Sequence, residues 1–186
     1  MFERLLIEQA APTLAAIKPA SIFSYCPSAL TEGFRQIDLW DERLSSYGLR
    51  IRPVCSCRSR NRILVFVYRE RALCDALSDR QTEAFLKELG YEICCSSDKM
   101  LDQLTYRIKN SPELPHEIGL FLGYPLEDVV GFMKNKGKNH SFSGYWKSYG
   151  DPGKAMLKFR QLKRCSSVYR QLYRSGVSVT NLAITA

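Results

Sequence analysis

The sequence predicts an α+β fold: a small antiparallel sheet with helices packed on it, including a helix-turn-helix-like corner. Three observations lead there. Two β-rich runs, Leu49–Cys57 and Arg62–Arg69, flank the polar Arg58-Ser-Arg-Asn61 and read as a hairpin. Several other segments carry apolar residues at three- and four-residue steps, the period of a helix with one buried face. Residues 115–133 carry the glycine and apolar spacing of two helices crossing at a tight turn. With 186 residues, 45% hydrophobic and 25% charged, the chain can bury a real core, which excludes disordered and collagen-like classes. No linker divides it, so 1–186 reads as a single domain.

The elements follow in order. Residues 3–17 predict a helix, broken near Lys18-Pro19 because proline disfavours helix in the residue before it. Residues 21–25 suit a short strand. A helix is expected over 29–46, ended by Gly48. In the hairpin, Leu49, Ile51 and Cys55 share one face while Arg50 and Arg52 share the other, so one side is expected buried and one wet, with helices on one side of the sheet. Ser78-Asp-Arg-Gln81 reads as a capping box opening a helix that Gly90 closes. Further helices are expected over 98–109, 116–122 and 125–135. The aromatic run 142–149 reads as a strand joining the sheet. Asp151-Pro152, an N-cap followed by proline at the first helical position, opens the last long helix, which Gly176 ends.

The corner follows from residue size. Gly119 lets the second helix cross closely, Gly123 permits the positive φ of a tight turn, and Ile118, Leu122, Val129 and Phe132 would share a small core. The acidic Glu127 and Asp128 stand where such a helix usually faces phosphate, and Lys134, Lys136 and Lys138 come just after.

The net charge of +8 is unevenly spread. Residues 50–71 sum to +6 and 134–186 to +10, while 1–49 and 72–133 sum to −2 and −6. Such asymmetry favours an anionic partner: nucleic acid, a nucleoprotein or an acidic protein surface. The bland alternative is internal pairing. If the two basic segments share one face, a binding role gains; if they lie apart or pair inside the fold, it weakens. The candidate contacts are Arg58, Arg60, Arg62, Lys134, Lys136, Lys138, Lys147, Arg160, Lys163, Arg170 and Arg174. In the final helix Ala155, Phe159, Leu162, Cys165, Tyr169 and Leu172 form an apolar stripe beside Arg160, Lys163, Arg170 and Arg174. The aromatics of 142–149 could stack bases, although Trp146 reads more readily as core.

Catalytic and metal signatures are absent. His116-Glu117 opens like a zinc-protease helix, but Leu120 stands where the second histidine would be. There is no P-loop and no dinucleotide fingerprint, and neither Cys55-x-Cys57 nor Cys94-Cys95 has zinc-finger spacing. Seven irregularly spaced cysteines read as reduced thiols of a cytoplasmic protein. No run is long enough for a membrane helix, and the N-terminus lacks a signal-peptide pattern. No metal site and no resident cofactor is expected. A candidate pocket would join His116, Glu117, Tyr124 and Cys165, with Cys26-Pro27 as an outlying thiol.

The run from His116 to Phe132, with Ala11-Pro-Thr-Leu-Ala-Ala-Ile-Lys-Pro-Ala-Ser-Ile-Phe23 and Gly144-Tyr-Trp-Lys-Ser-Tyr-Gly150, resembles an uncharacterised, mostly clostridial family filed as domain of unknown function 3793. The resemblance spans nearly the whole chain and implies a bacterial source but no activity. Members often carry cysteine before the Ala-Pro-Thr-Leu block, where this chain has Ala10. A reported association with flavodoxin genes implies a redox or metal role.

Two readings result. The first is a non-enzymatic binding protein, an inhibitor or adaptor, acting on nucleic acid or a nucleic-acid-bound complex through a basic face. The alternative is a redox-linked or cofactor-binding protein (haem, flavin or metal) working with a flavodoxin-like partner.

Overall fold

Ile63-Leu-Val-Phe-Val-Tyr68 is apolar at every position, so as a strand it needs cover on both faces. The computed structural model, which describes residues 1–185, supplies that cover. This run is the core of β3 (Arg62–Arg69), the centre of a three-stranded antiparallel sheet of order β1-β3-β2. The expected hairpin partner is β2 (Leu49–Cys57), and β1 (Ala20–Tyr25) pairs along the other edge, from Ala20 opposite Tyr68 to Tyr25 opposite Ile63.

Ile63, Val65 and Val67 point into one core, with Phe23, Tyr25, Leu49 and Ile51 from the neighbouring strands. Helices α1 (Phe2–Leu14) and α2 (Leu30–Ser45) close that face, with α8 (Pro152–Arg174) and α9 (Val179–Leu182) beyond. Phe66 and Tyr68 point into a second core, with Leu64 packed at its edge. It takes Leu73 and Leu77 of α3 (Glu70–Leu77), Leu86 of α4 (Arg80–Glu88) and Met100, Leu101 and Leu104 of α5 (Ser97–Asn110). The corner helices α6 (Ile118–Phe121) and α7 (Leu126–Asn135) complete it.

Helices therefore cover both faces of the sheet, not one. The alternation in β2 suggested a wet face because Arg50 and Arg52 lie on it, but acids from other elements meet both. Arg50 pairs with Asp41 at 2.9 Å and Glu70 at 3.2 Å, and Arg52 with Asp102 at 2.6 Å. A β-bulge also breaks the alternation. Pro53 stands opposite Val65 and Cys55 opposite Leu64, leaving Val54 without a partner. Proline cannot donate to a ladder, and a bulge on an edge strand tolerates that. As a result Val54 enters the second core and Cys55 moves off the face of Leu49 and Ile51.

The run 142–149 does not join the main sheet. Its strands β4 (Phe142–Ser143) and β5 (Lys147–Ser148) pair only with each other, because the intervening turn folds the run back and satisfies its own backbone. At α4 the N-cap is Asp79, which accepts from the amides of Gln81 and Thr82, not Ser78. Helices α3 and α9 were not expected. α1 ends at Leu14, earlier than expected: Ala16 takes a φ of 55°, and the amides of Ile17 and Lys18 close on the Pro12 carbonyl. The Asp151 cap of α8 is as expected, its carboxylate accepting from the amides of Gly153 and Lys154.

Candidate binding surfaces

The register places the basic tip. Cys57 faces Arg62 and Tyr25 faces Ile63, so Arg58, Arg60 and Arg62 crown the end of the sheet where β1 finishes. The α6–α7 turn lies at the other end, where Gly123 packs on Pro19 just before β1 begins. About 20 Å of strand separates the two. All three tip arginines are exposed, as are Lys134, Lys136 and Lys138. Lys147 is tied down: its Nζ donates to the Gly137 carbonyl at 2.7 Å and sits 5.9 Å from the centre of the Phe132 ring.

The helix α8 spans the molecule between these ends. Its first half packs Phe159 against Trp146 and Phe142, and Lys158 Nζ donates to the Ile17 carbonyl at 3.2 Å. Its last turn reaches the start of α1, where the Tyr173 hydroxyl meets Glu3. Ala155, Phe159, Leu162, Cys165 and Tyr169 are buried as the stripe predicts, but Leu172 is exposed and Ser166 is buried instead. Arg160, Lys163 and Arg174 face solvent, whereas Arg170 is half-buried. The outer face also carries Arg164, missing from the expected set although its four-residue step from Arg160 could have shown it, and Lys154 is exposed in the first turn.

At the expected corner the chain forms two helices joined by a turn at Gly123, the first only four residues long. A Cβ at Gly119 would meet Val129 Cγ2 at 2.8 Å, so the helices cross closely only because that residue is glycine, and Gly123 has φ +76°. Ile118, Leu122 and Val129 share the second core, whereas Phe132 remains half-buried outside it. The β4–β5 hairpin covers one side of α7. There the buried Asp128 carboxylate accepts from Trp146 Nε1 at 2.6 Å, Ser148 Oγ at 3.0 Å and the amides of Tyr149 and Gly150 at 2.6 and 3.0 Å.

Between corner and hairpin lies an open groove of about 540 Å³. Two aromatic pairs line it: Tyr124 stacked on Trp146 with ring centres 4.6 Å apart, and His116 edge-on to Phe132 at 4.9 Å. Burial raises the Tyr124 phenol above its usual range.

Of the four expected pocket residues, only His116 and Tyr124 meet here. Glu117 is buried and turned away, accepting from Arg107 Nε at 2.8 Å and the Tyr91 hydroxyl at 3.2 Å. Consecutive residues at the start of a short helix point in different directions, which spacing alone does not reveal. Cys165 belongs to the core on the other face of the sheet, and burial raises its thiol. Cys26 is exposed after β1. The exposed tip gives Cys57 the opposite shift: the Ser59 hydroxyl and the amides of Ser59 and Arg60 lower it. Among the described residues no group of three or more His, Cys, Asp or Glu is placed to hold a metal ion, and no helix is long and apolar enough to cross a membrane.

No curated protein and no solved structure matches the chain. A family match covers residues 6–183, from within α1 to beyond α9, so it takes in both cores, the corner, the groove and all of α8. The chain accordingly belongs to the family described as Protein of unknown function (DUF3793).

Proposed function

We propose that this is a non-enzymatic binding protein that contacts nucleic acid, free or within a nucleoprotein complex, through the solvent face of α8. One observation carries the reading. The 23-residue helix holds seven Lys and Arg and no acid; five of them, Lys154, Arg160, Lys163, Arg164 and Arg174, are exposed, and none of the ion pairs among the described residues uses any of these. Arg50, Arg52 and Arg107, by contrast, are paired with carboxylates within the fold. Exposed cations spread over about 30 Å of helix suit the repeated phosphates of a duplex better than a single acidic side chain. Met156, Leu157 and Val168 are exposed among the cations and suit a protein component beside the nucleic acid.

The test is a gel-shift salt titration. Each phosphate neutralised on a duplex adds about 0.9 to the slope of log K against log salt. Replacing Arg160, Lys163 and Arg164 together by glutamine lowers that slope by about 2 to 3. Failure to bind at low salt, or binding that ignores salt, refutes direct nucleic-acid contact.

A second reading rests on the groove. Its aromatic lining and few polar groups suit a planar cofactor such as a flavin or haem, in a redox-linked protein with a flavodoxin-like partner. Titration with FMN and with haem is expected to quench Trp146 fluorescence and shift the ligand's absorption. Unchanged spectra for both ligands remove this reading.

A further inference from the structure

We propose that the cleft between α1, the start of β1 and α8 binds a phosphate group carried by a small molecule, with Lys18 and Arg170 as its cationic contacts and Lys158 behind Lys18. The site is separate from the nucleic-acid surface, because it uses the inward row of α8.

Lys158, Leu162, Ser166 and Arg170 recur at four-residue steps and so form one row along the helix. The last three of them line a cleft of about 200 Å³. Gln9 and Pro12 of α1, Lys18, Ser21 and the rings of Tyr124 and Tyr145 complete its walls. Arg170 thus departs from the other arginines of its helix, which face solvent.

Lys18 is the centre of the argument. It is half-buried just before β1, with Nζ 5.1 Å from the centre of the Tyr124 ring. No carboxylate pairs with it among the described residues, and the charge that acts on it is the like charge of Lys158. Lys158 Nζ is held beside the preceding peptide, 3.2 Å from the Ile17 carbonyl. Glu8 reaches the rim of the cleft but is committed to Arg4 at 2.8 Å. Burial, and then Lys158, lower the Lys18 ammonium to about 8.

The Lys18 ammonium, withdrawn from water beside a second ammonium and sharing the cleft with a guanidinium, is unfavourable alone and favourable around an anion. A phosphate oxygen cluster accepts donors from several directions at once, and its charge near −2 offsets the two cations that line the cleft. The cleft volume falls below that of a drug-sized pocket, so the group is carried on a small molecule.

Trace acetylation of the full chain, read by mass spectrometry from pH 6 to 11, tests this. Lys18 is expected to gain reactivity near pH 8. Inorganic phosphate favours the charged form and so raises the pKa of Lys18, which slows its acetylation at pH 7.5 by about fivefold or more. Acetate at equal ionic strength does not. Lys158→Met moves the Lys18 midpoint upward and weakens the phosphate protection. Equal slowing by acetate, or none by phosphate, overturns the proposal. Loss of nucleic-acid binding in the α8 outer-face variant leaves it untouched.

Discussion

Arg69 shows what a buried charge does in this protein. It closes β3 and is 3% exposed, and its guanidinium donates to four carbonyls: Thr13 and Leu14 at 2.7 Å, Tyr47 at 3.1 Å and Ile184 at 2.6 Å. It thereby satisfies the open carbonyl end of α1 and ties the α2–β2 turn and the C-terminal segment to the same point. Arg69→Met keeps the stem but leaves those carbonyls buried without donors, at a cost of about 3 kcal/mol. A urea-unfolding midpoint unchanged from the parent chain would disprove that role. By sequence Arg69 is one more cation in a basic run. Its partners come from positions up to 115 residues away, so no local pattern announces it. Lys18 is hidden for the same reason, since nothing in Ile17-Lys-Pro19 shows that Lys158 will be its neighbour.

Helix starts were legible wherever the signal is local. The Asp151-Pro152 cap needs only its own two residues, and it forms as read. Ser78 and Asp79 offered two caps, and the choice of Asp79 admits α3 directly before it, a short helix that abuts β3 with no breaking residue between them. The β4–β5 hairpin is not legible in its own residues because its anchor lies elsewhere in the sequence. Asp128 on α7 accepts four hydrogen bonds from it, and Gly131 leaves room for the Tyr149 ring, which a Cβ would meet at 2.4 Å. Asp128→Ala is expected to free the hairpin at a cost of about 2–4 kcal/mol. The readouts are a red-shifted Trp146 emission and new protease cleavage within 136–150. Parent-like emission and cleavage would show that packing against Phe159 suffices to hold it.

The charge asymmetry changes meaning once the whole molecule is in view. The +6 of residues 50–71 does not add to the +10 of the C-terminal unit as one face. Arg50, Arg52 and Arg69 are bound within the fold, and the exposed tip stands at the end of the sheet opposite the α6–α7 corner. If nucleic acid lies along the outer face of α8, a duplex of about ten base pairs covers the length of the helix. Replacing Arg58, Arg60 and Arg62 by glutamine should then leave the salt slope on that short duplex unchanged, while the α8 triple variant lowers it. A fall in slope from the tip variant would shift the contact surface to the hairpin.

What the sequence by itself determined is what lies within one or two turns of chain: the α+β class, the β2–β3 hairpin, the glycines of the corner, the Asp151 cap, the buried stripe of α8 and its family. Tertiary structure alone decided which face each cation serves, that both sides of the sheet are covered, that Glu117 turns from His116, and that Lys18 meets Lys158. The physical reason is range. Backbone propensity, capping and periodicity act between near neighbours in sequence, whereas desolvation and charge pairing depend on which distant segments the two cores bring into contact.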